Sequence, residues 1–229
     1  MATILQIETA TQVCSVAIAI NGETIAFKEE AAQNIHATSL TLFIEEAMQT
    51  ANLKFNDLDA IAVSKGPGSY TGLRIGVSTA KGLCFALDKP LISISTLQMM
   101  ANGYLTTHPN YGGLICPMID ARRMEVFTAV YNNKLQEIAA VNAKIVDQKS
   151  FILELDSNYV TFIGDGSEKC ISVLEHQNAH FSNSNYNSAA NMSSIAYSAF
   201  EQKNFEDVAY FEPFYLKDFV FTTPKNKII

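Results

Sequence analysis

The chain of 229 residues is long enough for one large domain or two small lobes, and 48% apolar with 17% charged residues is the composition of a globular protein with a sizeable core. Cys14, Cys84, Cys116 and Cys170 are far apart and form no CxxC pair, which argues against a zinc site or a disulfide framework and fits a reducing compartment. A net charge of −7 with neither half basic excludes long-range attraction to a polyanion such as RNA, and no apolar run approaches a membrane span, so the sequence predicts a cytoplasmic protein without a membrane partner.

Thr3 to Glu8 reads as an apolar strand and Cys14 to Ile20 as a second, with Asn21-Gly22 as a two-residue hairpin signal into a third strand, Glu23 to Lys28. A helix follows, with Leu40, Phe43, Ile44, Ala47 and Ala51 on one face and Glu45, Glu46 and Gln49 on the other. Then come a strand at 60–64, a glycine loop, and a helix with apolar residues at Leu73, Val77, Ala80, Cys84 and Leu87. A short strand, Pro90 to Ile94, and a helix, Thr96 to Tyr104, close the first half, and Leu105 to Gly113 reads as a linker. The second half repeats this order: strands at Leu114 to Asp120, Met124 to Tyr131 and Leu135 to Ala143, a helix at Asp147 to Leu155, a strand at Tyr159 to Ile163, a Gly164-Asp-Gly-Ser167 turn, and a helix at Glu168 to His176. Ser182 to Ser188 reads as a polar loop and Asn191 to Lys203 as a final helix. Glu8 and Asp120 close the first strands of the two halves, and the sequence predicts an α/β protein duplicated from one βββαβα unit, with lobes at 1–104 and 105–229.

The segment Gly66 to Gly82 holds five of the eleven glycines in seventeen residues. It lacks the Gly-Lys-Ser/Thr of a Walker A loop, and Thr71 stands where a dinucleotide fingerprint needs its third glycine. Gly66, Gly68, Ser69, Thr71 and Arg74 therefore either contact an anion at a helix N-terminus or only let elements pack closely. Glu8 and Asp120 either flank a hydrated magnesium beside a nucleotide, or satisfy their own turns or pair with Arg122 or Arg123. Arg122 and Arg123 offer guanidinium groups to phosphate or carboxylate, or form a solvated hairpin tip. His176 and His180 have the spacing of a helical metal pair but no third ligand in view, and His36 reads as a cap or packing residue. The glycine-loop helix carries a small-residue side, Gly76, Thr79, Gly82 and Ala86, which fits either a subunit interface or the chain's own core.

The blocks Leu5-Gln-Ile-Glu-Thr-Ala-Thr11, Gly66-Pro-Gly-Ser-Tyr-Thr-Gly-Leu-Arg74, Pro117-Met-Ile-Asp-Ala-Arg-Arg123 and Pro213-Phe-Tyr-Leu-Lys217 resemble the TsaB (formerly YeaZ) family. That resemblance implies the two-lobed actin/sugar-kinase/Hsp70-like (ASKHA) fold. It also implies a non-catalytic scaffolding and activating subunit of the bacterial complex that transfers threonylcarbamoyl from threonylcarbamoyl-AMP to N6 of the anticodon-adjacent adenosine in tRNAs reading A-starting codons. The transfer is done by a paralogue, TsaD, with a metal held by an HxxxH pair. Thr96 and Met100 stand at the matching positions here, so the resemblance implies no metal site and sets aside the older M22 glycopeptidase label. Family members pair with TsaD, or with themselves when alone, through first-lobe helices. That implies an interface at His36, Leu40, Phe43, Ala47, Leu73, Gly76, Val77, Ala80 and Cys84. The ATPase TsaE would join the assembled pair, tRNA would be contacted only through the complex, and ATP or ADP with magnesium would bind at a subunit junction. The alternatives are an ATP-dependent small-molecule kinase of the same fold, using Glu8 and Asp120, and a metallopeptidase.

Overall fold

The structure, a computed structural model, describes residues 1–32 and 35–217; the rest of the predicted second lobe, 218–229, lies outside the described residues. Strands β1 (Thr3–Glu8), β2 (Val13–Ile20), β3 (Glu23–Ala31), β4 (Ala60–Gly66) and β5 (Leu91–Ser95) form one sheet in the order β3-β2-β1-β4-β5. Strands β6 (Leu114–Asp120), β7 (Glu125–Tyr131), β8 (Glu137–Ile145), β9 (Val160–Ile163) and β10 (Ala179–Ser182) form a second, ordered β10-β9-β6-β7-β8. In both sheets the first three strands pair antiparallel and the last two join in parallel. This shared pairing is the duplicated unit that the sequence predicts. At the first hairpin Asn21 and Gly22 both take positive φ, 50° and 86°, the geometry a two-residue turn between twisted strands requires.

Helices α1 (His36–Thr50) and α2 (Tyr70–Leu87) cover one face of the first sheet, burying Leu40, Phe43, Val77 and Cys84 against Leu5, Val16 and Val63. Helix α3 (Thr96–Thr107) follows β5 yet packs on β6 and β7 of the other sheet as well as on β4 and β5. Helix α5 (Ser193–Glu201) follows β10 and packs back on β1, β3 and β5. One apolar cluster therefore runs through both lobes, from Ile4, Ala62 and Ile94 through Leu97, Met100 and Ala196 to Ile115 and Ile163. A third cluster, centred on Phe162 and Phe151, lies on the far face of the second sheet beneath the short helix α4 (Ile152–Ser157). All four cysteines are free and buried, and burial pushes the Cys14, Cys84 and Cys116 thiols up to about 12, so none offers a ready thiolate.

Four elements of the second half differ from the sequence reading, each for a local reason. The helix predicted from Asp147 starts only at Ile152. Asp147 and Ser150 bond to each other and to nearby N–H groups in a competing turn, and Phe151 takes φ 62°. The third strand begins at Glu137 rather than Leu135, because Asn132 Oδ1 accepts from the N–H groups of Lys134 and Gln136 and extends the turn. The helix predicted over 168–176 is a 3-10 turn, Glu168–Cys170, followed by irregular chain. The β-branched Ile171 and Val173 suit a helix poorly, and Cys170 and Leu174 alone reach the core as full buried anchors. That segment leads into β10, a strand the sequence reading lacks, which pairs with β9 from Ala179 to Ser182. His180 sits on this strand and His176 in the preceding turn, so they are not a helical pair.

Leu97 is fully buried between the sheets, whereas Leu153 is 80% exposed on α4. Leu97→Ala is expected to cost about 3 kcal/mol in urea unfolding, and Leu153→Ala less than about 0.5 kcal/mol. Equal effects would contradict a core shared by both lobes.

Candidate functional site

The glycine loop between β4 and α2 is drawn tightly onto the turn that links β1 to β2. Ser69 N–H donates to the Ala10 carbonyl at 2.6 Å, and Thr9 Oγ1–H donates to the Gly72 carbonyl at 2.9 Å. Ser69 caps α2, its hydroxyl accepting from Gly72 N–H at 3.3 Å. A Cβ on Gly68 or Gly72 would run into the Ala10 or Thr9 carbonyl, so these glycines serve the close approach of two backbones. On its other side the loop meets the segment 209–217, where Phe214 N–H donates to the Lys65 carbonyl at 2.7 Å.

This packing leaves a cleft of about 770 Å³ between the lobes. The first lobe lines it with Thr11, Gln12, Gly68, Ser69 and Thr71, the second with Asp120, Arg122, Phe127 and Asp165, and the tail with Tyr215 and Lys217. The structure thus brings Gly68, Ser69, Thr71, Asp120 and Arg122 together at one opening. Arg122 and Arg123 take φ 71° and 50°, two consecutive side-chain-bearing residues in the left-handed region. The turn is held by Arg122 N–H donating to Asp120 Oδ1 at 2.9 Å and Glu125 N–H donating to the Arg122 carbonyl at 3.1 Å. Asp120 pairs with Lys169, not with an arginine, and Lys217 pairs with Glu125. Asp165 accepts from Asp120 N–H at 3.0 Å; the protein crowded around it pushes its carboxyl above the usual range, an effect that this hydrogen bond partly offsets.

Glu8 does not open into this cleft. It is fully buried, and Oε1 accepts from Ala10 N–H at 2.5 Å. Burial raises its carboxyl to about 7, against the lowering influence of the Ser64 hydroxyl and the Ala10 N–H. Neither Glu8 Oε2 nor Ser64 Oγ makes a hydrogen bond of normal geometry. The expected pairing of Glu8 with Asp120 around one ion is therefore corrected: Asp120 and Asp165 are the carboxylates on the cleft wall.

Gly66 is also buried, with φ 112°, and lies beneath the lining. Arg74 is exposed but turns onto the neighbouring ring, its Nη1–H donating to Tyr70 Oη at 2.8 Å, while Tyr70 packs tilted against Tyr215 with centroids 4.6 Å apart. The nine side chains expected at an interface, His36, Leu40, Phe43, Ala47, Leu73, Gly76, Val77, Ala80 and Cys84, are all buried within this chain. They form the inner faces of α1 and α2, and His36 bonds to the Val13 carbonyl at 3.1 Å. Any partner of these helices meets their outer faces. Thr96 and Met100 of α3 are likewise buried. Among the described residues no three His, Cys, Asp or Glu side chains are grouped to hold a metal ion, and no helix is long and apolar enough to cross a membrane. Sequence reasoning did not assign Asp165, Lys169, Tyr215 or Lys217 to the site. The signals were present in the Gly164-Asp-Gly-Ser167 turn, which mirrors the glycine loop, and in the Pro213–Lys217 block.

Two duplicated sheets, two helices exchanged between them and a cleft at the ends of β1 and β6 define the ASKHA class of fold. Among solved structures, YeaZ from Pseudomonas aeruginosa superposes with a TM-score of 0.80 at 25% identity, covering 94% of this chain and all of that one. Component A of the Acidaminococcus fermentans (R)-2-hydroxyglutaryl-CoA dehydratase shares the fold at a TM-score of 0.53 and 13% identity over 86% of this chain and 98% of that one. The family model described as TsaD, tRNA N6-adenosine threonylcarbamoyltransferase, matches residues 26–228. The tRNA threonylcarbamoyladenosine biosynthesis protein TsaB of Haemophilus influenzae is 30% identical over 225 residues, 94% of each chain. The chain belongs to the TsaB/YeaZ family.

Glu8 gives stability a pH dependence of definite sign. Between pH 4.5 and about 7 the folded chain holds a proton on Glu8 that the unfolded chain has released, so stability falls as pH rises through this window and levels off above it. Glu8→Gln, whose amide can donate to Ser64 Oγ, is expected to remove a loss of about 3 kcal/mol between those limits. Urea unfolding at several pH values checks it; a slope unchanged by the substitution would refute the assignment to Glu8.

Proposed function

We propose that this chain is a non-catalytic scaffolding and activating subunit in the biosynthesis of threonylcarbamoyladenosine in tRNA, acting in a complex with the transferase TsaD. The observation that carries this reading is the match to the TsaB relative over 94% of both chains, which takes in both lobes and the cleft between them. The buried Thr96 and Met100 support the absence of transferase chemistry, since the resemblance sets the metal-binding histidines of TsaD at these positions. TsaD is proposed to dock on the outer faces of α1 and α2. Phe85 is 87% exposed there and Leu42 54%, while Ser78 and Gly82 leave the outer surface of α2 low. Nothing lies within 4 Å of where a Cβ on Gly82 would be, so another helix can approach closely. The same face would join two copies of the chain when TsaD is lacking, and TsaE is proposed to join the assembled pair.

A nucleotide fits the cleft beside that junction. Arg122, Lys217 and the first turn of α2 supply the groups that hold a phosphate, and Asp120 and Asp165 the oxygen ligands that suit magnesium. Bound there, a nucleotide would supply negative charge that ties the two lobes together. With a net charge of −7, the chain would meet tRNA through the complex.

Size-exclusion chromatography with purified TsaD tests the reading. The wild-type chain is expected to co-elute at micromolar concentration and to stimulate tRNA modification by TsaD. Phe85→Asp and Ser78→Glu are expected to weaken association by about tenfold or more, with thermal unfolding unchanged. A wild-type chain that neither co-elutes nor stimulates would overturn the proposal.

A further inference from the structure

Away from the cleft, the last turn of α3, the linker 108–113 and strands β9 and β10 border a second, open cavity of about 900 Å³. Its walls are rings. Tyr104 and His108 stack with centroids 4.2 Å apart and planes 11° apart, Tyr111 meets Tyr104 edge-on at 5.1 Å, and His180 lies tilted against Tyr159 at 5.6 Å. The inner rings are fixed. His108 Nδ1–H donates to the Tyr104 carbonyl at 3.0 Å, and Tyr111 donates to the Leu114 carbonyl at 3.2 Å while sharing a 2.8 Å hydrogen bond with Thr161 Oγ1. The outer pair is open, with Tyr159 61% exposed and His180 exposed beside it.

The chemistry of the lining selects a ligand class. No carboxylate, ammonium or guanidinium group borders the cavity, so nothing there neutralises a phosphate or an ammonium ion. Flat aromatic faces favour a planar π system, and the hydroxyl and amide groups of Ser182 and Asn183 suit heteroatoms at its edge. We propose that this cavity is a binding site for a neutral planar heteroaromatic ring of the nucleobase class, carried on a free nucleoside. A nucleic-acid strand is disfavoured because the lining holds no cation for its phosphates and the chain as a whole carries −7. The site shares no lining residue with the interlobe cleft and none with α1 or α2, and it does not depend on the docking of TsaD.

Saturation-transfer NMR on the full chain, with adenosine and cytidine as probes, tests this. Transfer to the base protons is expected, with a dissociation constant on the order of 0.1–1 mM for ligands of this size. Tyr159→Ala and His180→Ala, both at exposed positions, are expected to weaken it about tenfold, and Leu153→Ala, at an exposed position of α4 outside the cavity lining, to leave it unchanged. No transfer from either nucleoside at about 5 mM, well above that range, would overturn the proposal. So would transfer that survives both pocket substitutions, which would place the nucleoside elsewhere on the chain.

Discussion

The crossing of α3 and α5 from their own repeat onto the sheet of the other is the interaction on which the rest of the molecule depends. Each helix is the last of its repeat and packs on the sheet of the other repeat, so neither half can bury its apolar surface alone. Leu97, Met100 and Ala196 sit where two separate domains would each have placed solvent-facing residues. The consequence is one continuous core, with the lobes splayed apart only at the ends of β1 and β6. A cleft between lobes normally trades stability for mobility; here the shared core fixes how the two walls face one another.

Within that frame the glycine loop acts through what it permits. The Ser69 N–H and the Gly72 carbonyl are committed to Ala10 and Thr9, and the Lys65 carbonyl to the tail, so α2 begins almost in contact with the β1–β2 turn. The close approach buries Glu8 and places Ser69 and Thr71 on the cleft wall. A carboxyl enclosed in this way favours its protonated form, whereas Asp120, five strands later in chain order but equivalent in the repeat, stays exposed beside Lys169. Equivalent positions of a duplicated unit have thus acquired opposite electrostatic roles, one structural and one facing the cleft.

Much of this was legible in the sequence. Asn21-Gly22, the alternation of strands and helices, and the matched positions of Glu8 and Asp120 report local geometry, which a sequence expresses directly. The direction in which a helix face points was less legible. Leu40, Phe43, Val77 and Cys84 form an apolar stripe whether a helix covers its own sheet or a neighbour's, and only the three-dimensional structure shows that the stripe faces inward while Phe85 and Leu42 face out. The short strand β10 escaped notice because four residues carry little periodicity, and its pairing with β9 depends on chain far away in the fold. Tyr215 and Lys217 joined the cleft through a tail with no regular secondary structure, for which patterning has no signal.

That tail has a mechanical meaning. It runs along the first lobe, with Lys81 donating to the carbonyls of Ala209 and Phe211, then packs Tyr215 against Tyr70 and reaches over to the second lobe, where Lys217 meets Glu125. An ion pair this accessible to water contributes at most about 1 kcal/mol, comparable to thermal energy. The segment across the mouth is therefore a weak link between the two walls, whose relative position rests on the helices that cross between the sheets.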